Sequence, residues 1–310
     1  MAQTLDENRL FYIHEYYLPE SKSLPGIIKY TDICGWTDYY LNGLALFSRR
    51  RVFYDRASFP DKLHSHGFYE IDVFLDGTIS YVSGSRVFTP QYGDIMVFPP
   101  ECEHTVRTTR DGIYDRLVLY IEPAWFTEIA GGYIPELFRS RSAGCYMMPP
   151  ENQRKFLDHL GKLEQCVTSE QEDTAMQAIG YLSLLLALIG RYAVPNFGNI
   201  SQIPQKLLEI KEYLDSNAQT IATVESLADQ FYYSREHLCR LFKDYYKITL
   251  SEYLHRKKVE RAQQALDLNS TVRYAFDISG FQSYSAFVKA FREITGVTPG
   301  KYRSLSGKKM

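Results

Sequence analysis

The chain has 310 residues, enough for about two domains. Its apolar content of 45% and charged content of 23% are ordinary for a folded globular protein and exclude a disordered or fibrous chain. The net charge of −2 is unevenly spread, because residues 204–310 carry a net +5 and residues 1–203 carry a net −7. A basic C-terminal third behind an acidic body predicts contact with nucleic acid at one end only.

The first residues, MAQTLDENRL, are polar and acidic and do not resemble a signal peptide. The cysteines at positions 34, 102, 145, 166 and 239 include no C-x-x-C pair, which is typical of reduced thiols. The longest apolar stretch, 178–189, is too short to span a bilayer. We therefore expect a cytoplasmic protein with no membrane partner. The aromatic segment at 9–20 is open to two interpretations, a cover for the following domain or an edge strand.

From residue 44 to residue 121, short runs of β-branched and aromatic residues alternate with Gly, Pro and Asp. In chain order the runs are EIDVFLDG from position 70, TISYVSG from 78, SRVFTPQYGD from 85, IMVFPPE from 95 and RLVLYIEP from 116. Regularly spaced short strands of this kind predict a β-sandwich or β-barrel. We assign residues 1–150 to this β domain.

Two segments of the β domain carry side chains that bind metals. HSHGFYEIDVFLDG begins at His64, and GDIMVFPPECEH ends at His104. Residues two apart on a strand share a face, so His64, His66 and Glu70 have the same parity. The spacing of His64, His66, Glu70 and His104 resembles the two-part motif of the cupins, which implies a β-barrel. Three imidazoles and a carboxylate suit Zn, Fe, Ni or Mn. Glu101 departs from the motif, where a glycine is common.

This cluster leaves several interpretations open. The four residues hold one divalent ion, or they persist without one and contact an organic ligand through hydrogen bonds. A bound ion would be compatible with three kinds of protein. They are a metal-dependent oxygenase or isomerase, a sensor that binds an effector without converting it, and a regulator whose signal is the metal itself. Turnover of the ligand discriminates the enzyme from the sensor, because a sensor releases its effector unchanged.

Helical periodicity replaces the strand pattern after residue 150. Phe156, Leu160 and Leu163 share one face, and Met176, Ile179, Leu182, Leu186 and Ile189 share another. We predict helices at about 151–167 and 171–192. Apolar faces on a helical pair match a two-fold interface; the alternative is that these helices only cover the β domain. Residues 193–203, with Pro195 and Gly198, are predicted to be a linker.

The last third of the chain repeats itself with an offset of 49 residues. SREHLCRLFKDYYKITLSEYL begins at Ser234, and SYSAFVKAFREITGVTPGKYR begins at Ser283. Each copy opens with a serine that can cap a helix and follows a short helix and a turn, which predicts two helix-turn-helix units in 204–310. LSEYLHRKKVERAQQALDLN joins them as a helix about 27 Å long. Such a rod suits recognition helices about 34 Å apart, one turn of B-DNA.

Residues 204–304 resemble the paired helix-turn-helix domain of the AraC/XylS family of bacterial transcription regulators. The resemblance lies in GF at 280–281, F…FR at 287–292 and TGVTPGKYR at 295–303, together with the first-unit pattern around Ser234 and LFK. Two positions depart from the family pattern. Lys247 stands where the family often has glycine, and Phe276 stands where the second unit usually has a small alanine, with Ala275 one position away.

The outward faces of the second helix in each unit supply the predicted DNA contacts. They are Arg235, Glu236, Cys239, Arg240 and Lys243 in the first unit, and Ser285, Val288, Lys289 and Arg292 in the second. Arg240 can bind guanine with two hydrogen bonds, and Glu236 can accept one from cytosine. Arg292, with Arg256, Lys257, Arg273 and Lys301, is expected to meet phosphate or solvent.

The resemblance implies an α+β multidomain protein, with an N-terminal cupin-like barrel plus helices and a C-terminal all-α double helix-turn-helix domain. It implies a ligand-responsive regulator of transcription, without catalysis, that binds promoter DNA as a homodimer, with residues 151–192 as the dimerisation segment. It also implies a small-molecule effector in the barrel, sugars being one effector class of the family, and RNA polymerase as a partner if the regulator is an activator. The rival interpretation is a metal-dependent cupin enzyme with a DNA-binding appendage.

Overall fold

The structure, a computed structural model, describes residues 27–31, 37–41, 43–54, 63–108, 111–169, 174–198 and 200–306. The aromatic segment at 9–20 and Cys34 lie outside these residues. The chain divides into two compact units, 1–201 and 202–310. The first unit combines sheets and helices and the second is helical, so the expected α+β class is confirmed.

The strands of the first unit form two antiparallel sheets. In the described residues the strands are β1 (Ile27–Thr31), β2 (Thr37–Leu41), β3 (Ala45–Tyr54), β4 (Tyr69–Asp76), β5 (Ile79–Ser83), β6 (Arg86–Phe88), β7 (Ile95–Phe98), β8 (His104–Thr108), β9 (Gly112–Ile121), β10 (Gly144–Met147), β11 (Val194–Pro195) and β12 (Ile200–Gln202). The large sheet has the order β1-β2-β3-β9-β4-β7-β10-β11, and the small sheet has the order β12-β6-β5-β8.

Both faces of the large sheet are covered, and β4 at its centre shows how. Ile71 and Val73 belong to the apolar core that the sheet shares with the long helices of this unit. Phe74 belongs to a second core, which includes Tyr81 of the small sheet. Because side chains alternate along a strand, Glu70 and Asp72 lie on the same face as Phe74, between the two sheets. A strand buried on both faces therefore carries carboxylates into the interior.

The helices of the first unit are α1 (Ala124–Glu128), α2 (Pro150–Thr168) and α3 (Thr174–Tyr192), with a 3-10 turn at Glu136–Arg139. Proline stands at the first position of α2, where its fixed φ angle matches that of a helix and no backbone N–H is needed. Helix α3 is long and apolar enough to cross a membrane by length and composition, which the shorter apolar stretch in the sequence did not indicate. Its residues Leu182, Leu185 and Ile189 are buried against the sheet, as in a core helix. Met176, predicted on the same face as Leu182 and Ile189, is instead 83% exposed, so that part of the prediction was wrong.

The segment predicted as a linker, 193–203, is largely built into the sheets of the first unit. Strand β11 pairs with β10, with Pro195 opposite Tyr146, and β12 lies beside β6. The side-chain amide of Asn196 donates to both carboxylate oxygens of buried Asp94, at 3.1 and 3.0 Å. Proline and glycine indicated a flexible connection, but proline is tolerated in an edge strand such as β11. The boundary between the two compact units, after residue 201, lies within this predicted linker, although much of the segment pairs with strands of the first unit.

The second unit consists of seven helices within the described residues 202–306. They are α4 (Gln205–Asn217), α5 (Val224–Gln230), α6 (Arg235–Tyr246), α7 (Leu250–Asp267), α8 (Val272–Ser279), α9 (Tyr284–Thr295) and α10 (Pro299–Ser306). Five of them, α5 to α9, begin after a Ser or Thr whose hydroxyl accepts from the backbone N–H three residues on. Those hydroxyls satisfy amides that the helix itself leaves without acceptors.

The two family departures have conformational explanations. Lys247 follows α6 with φ +54°, and its repeat partner Gly296 follows α9 with φ +75°. A left-handed residue ends both helices, which explains why glycine is common there. Ala275 is fully buried in the core of the second unit, and the ring of Phe276 packs on Phe287 at 5.6 Å. The bulky side chain at 276 is thus accommodated by packing on Phe287, next to a small buried residue.

Gly280 lies in close contact with backbone of another segment of the second unit. Its φ is +83°, and a Cβ there would lie 2.3 Å from the carbonyl oxygen of Gln219. By contrast, a Cβ on Gly300 in α10 would meet no atom within 4 Å, and Gly300 has an ordinary φ. Replacing the two glycines by alanine therefore separates backbone crowding from a general effect of the substitution.

We expect Gly280→Ala to destabilise the protein by about 2 kcal/mol or more, through backbone overlap with Gln219 and a strained φ. Gly300→Ala, the matched control, should stabilise α10 by about 0.5–1 kcal/mol, because alanine is the better helix former. Urea unfolding of the full chain, followed by circular dichroism, measures both. Equal midpoints for the two variants would contradict the close packing at Gly280.

Candidate functional site

The four predicted metal ligands converge between the sheets of the first unit. One potential ligand atom from each of His64, His66, Glu70 and His104 lies within 4.8 Å of the others. His64 and His104 are held together by two backbone hydrogen bonds, at 3.0 and 2.8 Å. Glu70 is the second residue of β4, beside them. His64 is half-buried, and the other three are buried.

Hydrogen bonds to the backbone orient two of the imidazoles. Nδ1 of His66 lies 2.9 Å from the carbonyl oxygen of Phe68, and Nδ1 of His104 lies 2.9 Å from that of Cys102. A carbonyl only accepts, so each Nδ1 carries the proton and donates it. In the neutral rings, each Nε2 then presents a lone pair to Oε2 of Glu70, at 2.9 and 3.2 Å. Three acceptors that face each other require protons or a cation between them.

The charge of Glu70 strengthens this requirement. Burial acts to raise the pKa of its carboxyl group. When the imidazoles of His104 and His66 carry a proton on Nε2, the hydrogen bonds that they donate outweigh burial and hold this pKa well below its usual range. The phenyl ring of Phe68 stacks on His66, with 3.9 Å between centroids, and that of Phe98 stacks on His104 at 4.1 Å. Each of these two imidazoles is thus held by a backbone hydrogen bond and by one stacked phenyl ring. With the carboxylate of Glu70 they form a rigid, negatively charged set of nitrogen and oxygen donors, which suits a divalent transition-metal ion.

A buried ionic network, which the sequence analysis missed, lies beside the cluster. Nη1 of Arg116 is 2.7 Å from Oδ2 of Asp72, and the hydroxyl of Tyr81 donates to the same oxygen at 2.7 Å. Nη1 of Arg116 also lies 3.9 Å from Oε1 of Glu70. Burial raises the pKa of Asp72 to about 7, against the opposing effect of Arg116. The sequence could have indicated the buried position of Asp72, because Glu70 and Asp72 are two residues apart on one strand and therefore share a face.

A half-open cavity of ≈ 510 Å³ adjoins the turn after β7. Tyr69 and Phe138 give it an apolar wall, and Arg139 and Arg141 lie at its rim. Glu101, which also lines it, donates its backbone N–H to the carbonyl oxygen of His66 at 2.7 Å. The φ of Glu101 is +62°, so this position has the conformation that explains a glycine in the cupin motif.

The predicted DNA contacts lie on α6 and α9. Seven of them are exposed: Arg235, Glu236, Arg240, Lys243, Ser285, Lys289 and Arg292. Cys239 and Val288 are half-buried, so less of each side chain can reach DNA. Nε of Arg235 lies 2.6 Å from Glu225 of α5, and Nη2 of Arg240 lies 3.1 Å from Nδ1 of His237. The two helices thus present basic and hydrogen-bonding groups to solvent.

Two residues near the first recognition helix were missed from the sequence. His237 is exposed on α6, and its ring stacks on Tyr233 at 5.4 Å. Its signal was the i, i+3 spacing from Arg240, which places both on one face. Tyr232 in the turn before α6 is 91% exposed and has φ +59°. Three of the predicted phosphate contacts, Arg256, Lys257 and Arg273, have carboxylates within 3.5 Å on their own helices, and such exposed pairs separate at little cost.

Comparison with known proteins covers both units. The AraC-like ligand binding domain family matches residues 46–186, and a helix-turn-helix domain family matches residues 227–304. Multiple antibiotic resistance protein MarA of Escherichia coli is 30% identical over 95 residues, which are 30% of this chain and 75% of MarA. The HTH-type transcriptional activator RhaS of Escherichia fergusonii is 24% identical over 253 residues, 80% of this chain and 88% of RhaS.

The bifunctional transcriptional activator/DNA repair enzyme AdaA of Bacillus subtilis is 35% identical over 98 residues, 31% of this chain. The chain spans only 46% of the length of AdaA, so the likeness concerns a part of that protein. The match to MarA covers most of that relative, and the match to RhaS extends across both units. The chain therefore belongs to the AraC family of transcription regulators, with an AraC-like ligand binding domain followed by a helix-turn-helix domain.

Proposed function

We propose that this regulator binds promoter DNA in the cytoplasm through both recognition helices, α6 and α9. The observation that carries the proposal is the repeat itself: two capped helices, joined through α7, each present exposed cationic side chains. Arg240 and Glu236 of α6 are proposed to contact base edges, with Cys239 beside them. Ser285, Val288 and Lys289 are proposed to do so on α9. Arg235, Lys243 and Arg292 are proposed to meet phosphates, which position the protein without specifying sequence.

The first unit is proposed to sense a small molecule. The ≈ 510 Å³ cavity has the size of ligand sites in proteins, and its lining offers the guanidinium groups of Arg139 and Arg141 and the carboxylate of Glu101, which favour a polar effector. A sugar is one effector that such groups suit.

We further propose that His64, His66, Glu70 and His104 hold one Zn, Fe, Ni or Mn ion. Support comes from the orientation of the imidazoles, because backbone carbonyls take the Nδ1 protons and leave Nε2 to bind a cation. A bound divalent ion would supply a Lewis-acid centre for an oxygen atom of the effector. DNA binding itself requires no cofactor in this proposal.

A homodimer is proposed to form through α2 and α3. Met176 is 83% exposed and Leu184 is 48% exposed, and Gly180 and Ala187 are exposed on the same side of α3. This spacing of i, i+4, i+8 forms an apolar stripe on the side of the helix opposite the core. Apolar surface of that kind favours association with a second copy. If the regulator is an activator, RNA polymerase is a further partner.

The histidine and glutamate cluster also suits a metal-dependent oxygenase or isomerase, which is the rival function for the first unit. We propose binding without turnover, because the chain belongs to a family of regulators. Incubation of the full chain with an effector that raises its melting temperature, followed by mass spectrometry of the recovered small molecule, distinguishes the two functions. An unchanged molecule supports a sensor, and a converted molecule contradicts it.

Arg240→Ala is expected to weaken binding by about 1–3 kcal/mol at one base-pair position and to relax sequence preference there. Arg292→Ala, a matched loss of charge on the second recognition helix, should weaken all duplexes by a similar factor. The measurement is fluorescence anisotropy with duplexes selected by the wild-type chain from a randomised library, and with single-base variants of them. If Arg240→Ala weakens unrelated DNA as much as the selected duplex, Arg240 does not contact bases.

The metal proposal predicts about one divalent ion per chain in protein purified without a histidine tag. His104→Ala should abolish that ion, because it removes an imidazole held between Phe98 and the other ligands. His237→Ala, which removes an exposed histidine of the second unit, should leave the metal content unchanged. Elemental analysis measures both. Substoichiometric metal after growth with each of the four metals would reject the ion, and the histidines would then be hydrogen-bonding groups.

A further inference from the structure

Lys258 occupies the middle of α7 with its charged end buried in the second unit. The residue is only 4% exposed. Its ammonium donates to the carbonyl oxygen of Ile221 at 3.0 Å and to that of Gly280 at 2.8 Å, and it lies 5.7 Å from the centre of the Phe281 ring. Among the described residues, no carboxylate lies within ion-pair distance of it. Backbone carbonyls are therefore the groups that stabilise this buried cation.

The two carbonyls belong to different helix-turn-helix units. Ile221 lies two residues before Thr223, the cap of α5, which is the first helix of the first unit. Gly280 follows α8 and opens the turn that leads to α9, the recognition helix of the second unit. One ammonium thus connects the start of one unit to the turn of the other. The close approach of Gly280 to Gln219 brings the same two segments together.

A second cation of α7 extends the connection. Nε of Arg261 donates to the carbonyl oxygen of Ile278 at 3.1 Å. Lys258 and Arg261 are three residues apart, so they lie on neighbouring positions of one helix face. Both bind carbonyls at the C-terminal end of α8, where the helix dipole favours positive charge.

Burial lowers the pKa of Lys258, as expected for an ammonium removed from water. An apolar side chain of similar length would avoid that desolvation, and buried charges are often replaced by apolar residues without loss of stability. An apolar side chain has no hydrogen-bond donor, so it cannot hold two particular carbonyl oxygens about 3 Å from one point. The distinctive contribution of Lys258 is accordingly geometric.

We propose that Lys258 is a positioning residue that fixes α6 and α9 relative to each other and so sets the spacing between the two DNA segments they recognise. One base pair corresponds to about 3.4 Å along B-DNA, so a small displacement of one unit moves its recognition helix out of register. The inference rests on the proposed function, in that both recognition helices contact one duplex. Lys258 acts through the backbone of Ile221 and Gly280 and does not itself contact DNA.

The test uses the full chain and a duplex that the wild-type protein selects from a randomised library. Insertion of about 5 bp between the two recognised segments places them on opposite faces of the duplex. For the wild-type chain, we expect affinity to fall by at least about tenfold on this insertion. For Lys258→Met, the fall should shrink to about threefold or less. Lys258→Arg, which retains the positive charge and can donate to two carbonyl oxygens, should restore the steep dependence.

Val259→Ala is the matched control, since it removes buried volume from the adjacent position of α7 and leaves the carbonyl contacts in place. It should lower stability yet retain the spacing dependence of the wild-type chain. Circular dichroism establishes that each variant is folded. Should Lys258→Met unfold the second unit, Lys258→Gln, which keeps a polar end but loses charge and reach, takes its place with the same expectation of a weaker dependence.

The outcomes separate this inference from the proposed function. A steep dependence in both the wild-type chain and the folded Lys258 variant overturns the positioning role alone. Loss of the dependence in Val259→Ala as well overturns it too, because general destabilisation would then explain the effect. A wild-type chain that binds DNA but ignores the insertion overturns both the positioning role and the proposal that two recognition helices bind together.

Discussion

A charge removed from water needs partners, and in both units of this protein a buried charge and its partners hold the functional groups in place. In the first unit the alternation of β4 directs Glu70 and Asp72 between two sheets. The imidazoles of His66 and His104 lie within hydrogen-bonding distance of Glu70, and Arg116 pairs with Oδ2 of Asp72. In the second unit Lys258 lies between carbonyls of two helix-turn-helix units. Buried charge is costly, so these residues contribute arrangement more than stability.

Most of the second unit could be predicted from the sequence, because its information is local. Serine and threonine caps, apolar residues on one face and a 49-residue repeat all lie within short stretches of chain. The ligand set of the first unit was also accessible, because His64, His66 and Glu70 share parity on one stretch of chain. The partner of Asp72 was not, since Arg116 lies on β9, 44 residues away, and only the register of the sheet brings the two together. Likewise, Pro195 and Gly198 suggested a linker, whereas the acceptor that holds this segment, Asp94, is 102 residues from Asn196.

The burial of Lys258 could be predicted only in part from the local sequence. It stands in the run RKK, which is typical of a solvated helix face. Its position on the helix indicates a buried face instead, because Leu254 and Ala262, four residues to either side, are both buried.

Backbone conformation explains two departures from family patterns. Lys247 and Glu101 occupy positions of positive φ where glycine is common, so the pattern records a backbone angle that the chain still adopts.

The central claim is that the two recognition helices bind one face of a single duplex as a rigid pair. Hydroxyl-radical footprinting of the wild-type chain on a duplex that it has selected tests this claim directly. The account predicts two protected patches per chain on the same face of the DNA, with centres about 10 bp apart. A single protected patch, or two patches on opposite faces, would contradict it.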